Sequence, residues 1–116
     1  MARSAVTVVS SVRNASTAIT KDAFDIANDH EIDCSIVSDN YLNVFIETLD
    51  TKAAVFTVVA GAGQAKGQGN LTVTTGAAGV KVLTLDTARF KGSDGLVLIN
   101  ITSTAGATGN IYAVTK

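Results

Sequence analysis

The stretch LNVFIETLDTKAAVFTVVA, residues 42–60, holds the two strongest strand signals of the chain. Leu42–Leu49 and Ala53–Ala60 are apolar segments with several residues branched at Cβ, and residues 50–52 stand between them. Branching at Cβ stiffens a side chain and suits the pleated surface of a sheet. The stretch therefore predicts two strands that pair as a hairpin through a tight connection.

The same pattern recurs on both sides of this stretch. The chain has 15 Thr and 14 Val, and its strong helix formers never recur at helical spacing over a useful length. We expect two more hairpins, 71–75 with 81–85 and 96–102 with 110–114, because Gly-rich or polar turns separate those segments. The other predicted strands are 5–12, 24–27 and 33–37. The fold class that follows is all-β, an antiparallel β-sandwich or small barrel of seven to nine short strands.

The size of the chain fits one domain. It has 116 residues, and 47% of them are hydrophobic while 16% are charged. A chain of this length buries enough surface to stabilise one core without disulfide bonds or metal ions. We expect a single β-sandwich over residues 1–116, with an extended N-terminal arm over about residues 1–12. No segment has the length or composition of a signal peptide or a membrane span, so we expect a protein that contacts no membrane.

The composition also disfavours enzyme activity, metal binding and nucleic-acid binding. The formal net charge is −1, which is unlike the basic footprint of a nucleic-acid-binding protein. There is one histidine, His30, and one cysteine, Cys34, so an internal disulfide, a structural zinc site or a multi-histidine site cannot be assembled. We expect no enzyme activity, no cofactor, no metal ion and no nucleic-acid partner.

Two motifs could indicate a ligand site, one for phosphate and one for calcium. The segment GAGQAKGQG, residues 61–69, resembles a phosphate-binding loop, but a strand and not a helix follows it, so we interpret it as a loop between strands. Six acidic residues lie between Asp22 and Asp39, but the spacing of a calcium loop fails at Cys34 and Asn40. We interpret these carboxylates as solvated groups on a loop or an edge strand.

A resemblance appears in the second half of the chain. The order is TVVAG (57–61), GQGNLTVT (67–74), LDTARFKGSDG (85–95) and TGNIYAV (108–114). It is similar to small head-decoration and virion structural proteins of tailed bacteriophages, and it covers about residues 42–116. Their usual closing proline is absent here.

The resemblance implies a β-sandwich that does no chemistry and lies on the outer capsid surface of the virion after synthesis in the bacterial host cytoplasm. Its partners would be the major capsid protein and copies of itself, with a trimer favoured. The matching bend residues, to which we give structural roles, are Asp86, Arg89, Phe90, Asp94 and Gly95. We expect Asp86 and Arg89 to lock the bend, with Arg89 paired to Asp86 or Asp94, and Phe90 to plug the sandwich.

Capsid or partner binding by the N-terminal segment is a further expectation. This segment starts with small residues and no cap, so it could act as an arm or as a strand added to a neighbour. The predicted contact residues are Ala2, Arg3, Ser4, Ala5 and Val6.

Two other functions stay open. The alternative to capsid decoration is a carbohydrate- or surface-binding module of a phage tail or fibre. Such a module needs an exposed aromatic row, for which Tyr41, Phe45 and Phe56 are the candidates. The last is a small enzyme, which would have to use His30.

Overall fold

The computed structural model describes residues 3–11, 13–34, 41–62 and 66–115, without the side chains of Tyr41 and Lys66. Within them the chain forms ten strands, one helical turn and one 3-10 turn. The strands are β1 (Ser4–Val6), β2 (Val8–Ser10), β3 (Asp22–Ala23), β4 (His30–Asp33), β5 (Tyr41–Thr48), β6 (Ala54–Val58), β7 (Leu71–Thr75), β8 (Gly79–Asp86), β9 (Leu96–Thr102) and β10 (Gly109–Thr115). The helical turn is α1 (Thr87–Phe90) and the 3-10 turn spans Lys66–Gln68.

The strands form two sheets that pack as a small sandwich, which confirms the all-β fold class. Sheet A has the order β1-β4-β9-β6-β7, and sheet B has the order β2-β10-β5-β8 with β3 paired to β10. The described residues hold ten strands, one more than the upper expectation, because the first predicted strand is split at Thr7. Its two halves, β1 and β2, lie in different sheets.

Two pairings depart from the expected antiparallel arrangement. β1 runs parallel to β4, and β2 runs parallel to β10. A parallel pair requires a long connection between its strands. β2, β3 and the loop before β4 lie between β1 and β4 along the chain, and almost the whole chain separates β2 from β10. Part of the predicted strand 33–37 falls outside the described residues.

All three predicted hairpins are wrong. β5 pairs with β8 and β10, whereas β6 pairs with β7 and β9 in the other sheet. β7 is likewise separated from β8, and β9 from β10. The connections are arches that cross between the sheets at one end of the sandwich. There the side chain of Asp50 accepts bonds from the N–H and Oγ1 of Thr108 at 3.0 and 2.6 Å, and Thr48 Oγ1 donates to the carbonyl of Ala77 at 2.6 Å.

The core fills the space between the sheets with alternate side chains from every long strand. The largest fully buried members are Phe56, Ile32, Leu42, Ile46, Leu85, Ile99 and Ile111. β9 lies at the centre of sheet A, and its inward residues are buried while its outward residues are half-buried. This placement agrees with its sequence, which is apolar on both faces over its first half.

Candidate functional site: two edges of the sandwich and the bend

The bend after β8 is a single helical turn. Asp86 caps α1, since its side chain accepts a bond from the N–H of Ala88 at 2.9 Å. Phe90 is buried in the core, as expected. In the turn that follows, Asp94 accepts a bond from the N–H of Leu96 at 3.1 Å, and Gly95 has a φ of 84°. A glycine suits that left-handed conformation because it has no Cβ to clash.

The prediction for the partner of Arg89 is wrong. Its guanidinium bonds to neither Asp86 nor Asp94, and it donates instead to the carbonyls of Gly69 and Asn70 at 3.0 and 3.2 Å. It also lies 4.7 Å from the centre of the Phe90 ring. Main-chain carbonyls can accept hydrogen bonds from a guanidinium, and their positions depend on the fold. Arg89 therefore ties the glycine-rich loop to the bend.

The glycine-rich loop packs against the same bend. The N–H of Gly61 donates to the carbonyl of Arg89 at 2.8 Å, and a Cβ at Gly61 would lie 2.3 Å from the carbonyl oxygen of Lys91. Residues 63–65 of the loop lie outside the described residues. A half-open pocket of about 240 Å³ adjoins it, lined mainly by backbone and apolar side chains such as Val59, Phe90 and Leu98. Gly61 is thus required by close packing of two loops.

One open side of the sandwich, which we call the N-terminal edge, is formed by β1, β2 and the loop before β4. His30 is fully buried there, and its Nε2 accepts a bond from the N–H of Asp25 at 3.0 Å. The carboxylate of Asp25 accepts bonds from Ser4 Oγ and from the N–H of Asn28. Hydrogen bonding to its charged form, first from Ser4 and then from Asn28, lowers the pKa of Asp25.

The N-terminal edge holds Ser, His and Asp together but does not form a catalytic triad. Ser4 Oγ donates to the carboxylate of Asp25, and His30 Nε2 accepts from a backbone N–H. The imidazole therefore does not accept a bond from the hydroxyl. A nucleophilic serine needs the imidazole as its hydrogen-bond acceptor. In the described part of the chain, no group of three or more His, Cys, Asp or Glu is placed to hold a metal ion.

The other open side, the β7–β8 edge, is formed by the last strand of each sheet. Val80 and Val82 lie on the outward face of β8 and are 55% and 53% exposed, whereas Leu83 and Leu85 on its inward face are buried. Lys81 lies on the inward side, and its Nζ donates to the carbonyl of Thr74 on β7 at 3.1 Å. The outward face of β8 is therefore apolar and uncovered.

Two aromatic side chains lie beside these valines on sheet B, where Phe45 is half-buried and Tyr112 is buried. The register places Val82 opposite Phe45, and Phe45 opposite Tyr112. The two rings stack with centroids 5.1 Å apart and an interplanar angle of 8°. Lys21 lies 5.5 Å from the Tyr112 ring centre and pairs with Glu47 at 3.1 Å. We call Val80, Val82 and Phe45 the β8 surface.

Charge at the margin of the β8 surface is neutralised within the chain. Glu47 accepts bonds from Asn110 Nδ2 at 3.0 Å and from Lys21 Nζ at 3.1 Å, and both interactions lower the pKa of Glu47. The apolar centre thus has a polar rim in which the carboxylate already has partners.

Of the predicted aromatic row, Phe45 lies on this face and is half-buried. Phe56 is fully buried in the core, where it meets Phe24 edge-on with ring centroids 5.2 Å apart. The side chain of Tyr41 lies outside the description. Sequence reasoning missed the exposed Val80 and Val82. The segment VKVLTL, residues 80–85, is apolar on both of its faces, and this was the available signal.

The predicted partner-binding segment is paired with its own chain where it is described. Ser4–Val6 lies along His30–Ile32, and the Nη1 of Arg3 donates to the carbonyl of His30 at 3.2 Å. Ala5 is exposed, and Ala2 lies outside the described residues. Partner binding by this segment stays a prediction.

No family model, curated protein or solved structure matches the chain. The similarity to phage head proteins therefore rests on the motifs alone. Among the described helices, none is long and apolar enough to cross a membrane.

Proposed function

We propose that the protein is a decoration, or minor head, protein of a tailed bacteriophage that binds the outer capsid surface through the β8 surface. Two lines support the proposal, namely the order of motifs over residues 42–116 and the exposed valines of β8. The second carries most weight, because half-exposed Val80 and Val82 beside Phe45 form an apolar patch at the end of a sheet. Such a patch favours adhesion to another protein.

The β8 surface offers two modes of contact at once. The free side of β8 carries backbone groups that a strand of the capsid protein can pair with, and its outward valines offer an apolar face. Burying the exposed half of one valine contributes about 1 kcal/mol. One contact of this size is weak, but repetition over a capsid lattice makes the assembly stable through multivalency.

In this proposal the protein is structural and catalyses no reaction. Its partners are the major capsid protein and other copies of the chain, with a trimer as the favoured assembly. Light scattering of the purified protein measures the solution mass. A trimer is the expected result, and a larger open-ended assembly would contradict it, since a closed ring is required.

Co-sedimentation with assembled particles of the major capsid protein encoded in the same genome tests the proposal. We expect the double variant Val80→Lys/Val82→Lys to lose at least tenfold in affinity, because two desolvated cations would oppose the contact. Thr72→Lys/Thr74→Lys on β7 is the matched control, since it puts two lysines on exposed positions of the other edge strand.

The control variant is expected to bind like the unmodified protein, and circular dichroism checks that both variants fold. Equal binding of the β8 variant and the unmodified protein would contradict the use of this surface. Absence of binding by the unmodified protein would contradict capsid decoration itself.

Carbohydrate binding by a tail or fibre module is the second candidate, and Phe45 is the observation that favours it. A half-buried ring on an outward sheet face, stacked on Tyr112, is a platform on which a sugar ring can lie. A glycan array with the unmodified protein and Phe45→Ala tests it. Binding that the substitution abolishes would favour this function over capsid decoration.

A further inference from the structure

The hydrogen bond of His30 fixes the protonation state of its ring. Nε2 accepts from the N–H of Asp25 at 3.0 Å, and an imidazole nitrogen that accepts a hydrogen bond carries no proton. The proton of neutral His30 is therefore on Nδ1. That atom is buried and has no hydrogen-bond partner among the described residues. His30 is thus held neutral, in one tautomer, within the N-terminal edge.

The same residues hold strand β1. The N–H of Ser4 donates to the carbonyl of Asp29 at 2.9 Å, and Ser4 Oγ donates to Asp25. Ser4 is also the register partner of His30 in the parallel pair. The loop that presents the N–H of Asp25 to the imidazole therefore helps to hold β1, together with the pairing of β1 with β4.

Several charged groups face His30 from the elements around it. Asp22, Asp25 and Asp29 lie on β3 and the loop before β4, and their negative charge favours the protonated ring. Arg3 precedes β1, and its guanidinium bonds to the His30 carbonyl. β9 contributes the uncharged Ile99, whose carbonyl also accepts from Arg3 at 3.5 Å.

We propose that His30 is an acid-sensitive latch, in which protonation of Nε2 breaks its bond to the N–H of Asp25 and releases β1 from the edge of sheet A. A protonated Nε2 and the N–H of Asp25 are both donors, so the loop must move away. Moving the loop removes the contacts of Asp25 and Asp29 with Ser4. The free edge of β4 then becomes available to a strand of another molecule.

The direction of the pH dependence follows from burial. Desolvation lowers the pKa of His30 below its ordinary 6.5, although the backbone of Ser4 and then the nearby carboxylates oppose the shift. The unfolded chain takes up its proton near pH 6.5 while the folded chain does not. The stability that neutral His30 contributes is therefore fully present above pH 6.5, and it is lost as the pH falls below that value toward the lower pKa of the folded chain. Asp25 has a lowered pKa as well, so its carboxylate stays ionised while His30 titrates, and protonation of Asp25 is not the cause of the change.

Nuclear magnetic resonance of the full chain tests the latch, because the chain has a single histidine and its ring signals are unambiguous. A long-range nitrogen–proton spectrum at pH 7.5 is expected to show the tautomer with the proton on Nδ1. On acidification, the amide protons of Ser4–Val6 should lose at least tenfold in protection as the ring titrates. Exchange is corrected for the intrinsic effect of pH. Amides of β5 and β8 serve as the internal reference and should stay protected.

The variant His30→Gln is the matched control, since its side-chain oxygen can accept the bond from Asp25 but does not titrate. Its Ser4–Val6 amides should keep their protection over the same pH range. The measurement on the unmodified protein decides the question even when this variant fails to fold. A proton on Nε2, titration of the ring without exposure of β1, or simultaneous exposure of β1 and β5 would each overturn the proposal.

Discussion

The N-terminal edge and the β7–β8 edge of the sandwich differ in the groups that lie between the two sheets. At the N-terminal edge, polar side chains bond to backbone groups of neighbouring segments, as Asp22 does with the N–H of Thr7 at 2.8 Å and Asp29 with that of Ile101 at 2.9 Å. At the β7–β8 edge, the bond between the sheets is that of Lys81 Nζ to Thr74, and the valines of β8 face outward. One side is fixed by hydrogen bonds within the chain, and the other presents exposed valines.

The difference shows what the few charged residues of this sequence do. Only 16% of the residues are charged, and three of the ten acidic residues, Asp22 on β3 and Asp25 and Asp29 in the loop before β4, accept backbone N–H groups on this side. A buried donor left without a partner costs about 1–3 kcal/mol, so this loop has a strong structural reason for its acids. β8 needs no such groups if another molecule covers it. The three predictions below compare the two sides directly.

The largest expected effect comes from adding one methyl group at Gly109. Its Cβ would lie 2.1 Å from the carbonyl oxygen of Glu47 and 2.6 Å from the ring of Phe24, where β3 and β5 flank β10. Gly109→Ala should lower the free energy of unfolding by about 3 kcal/mol or more, because the neighbouring backbone cannot move aside cheaply. Urea denaturation measures the change.

Gly76→Ala, in the turn between β7 and β8, is the matched control. A Cβ there meets nothing within 4 Å. Its expected change is within about 0.5 kcal/mol. Equal losses at the two glycines would contradict the contrast between the edges.

A smaller effect is expected from the same substitution on one strand of each edge. Val6 on β1 is 3% exposed, whereas Val82 on β8 is 53% exposed. Val6→Thr places a hydroxyl in the core and should cost about 2 kcal/mol, while Val82→Thr should change the free energy of unfolding by less than about 0.5 kcal/mol. Denaturation at pH 7.5 measures both, and a costly Val82→Thr would mean that β8 is covered within the monomer.

The smallest effect on stability is expected at Lys81. Its bond to Thr74 is exposed, so Lys81→Ala should change the free energy of unfolding by less than about 0.5 kcal/mol. The positive charge of Lys81 nevertheless disfavours pairing of the two edge strands with another molecule, and its loss should increase self-association. Sedimentation velocity measures the oligomers. Lys52→Ala, in the arch after β5, removes the same charge elsewhere and should leave association unchanged.

The period-two pattern predicted most strands and most of the core, because alternation reports directly which side chains are buried. It did not predict pairing. The link at residues 76–78 reads like a hairpin turn, yet it joins β7 and β8 of opposite sheets. Whether a short link folds back or arches over depends on bonds such as that of Thr48 to Ala77, which join residues 29 positions apart.

The candidate sites were less predictable for a similar reason. The resemblance placed Phe90 and Gly95 correctly, since their roles depend on local conformation and on apolar character. The partners of Arg89 are main-chain carbonyls, whose positions no side-chain pattern encodes. Phe56 looked as exposed as Phe45 in the sequence, because both lie in strands of mixed polarity. Only the register of β6 and β9 places Phe56 in the core.

Amide hydrogen exchange on the protein alone and on the protein bound to capsid particles tests the central claim most directly, since it observes both edges in one experiment. We expect binding to increase the protection of Gly79–Asp86 at least tenfold and to leave Ser4–Val6 unchanged. Protection gained at Ser4–Val6, with Gly79–Asp86 unchanged, would contradict the claim that β8 is the adhesive edge and would assign binding to the N-terminal segment.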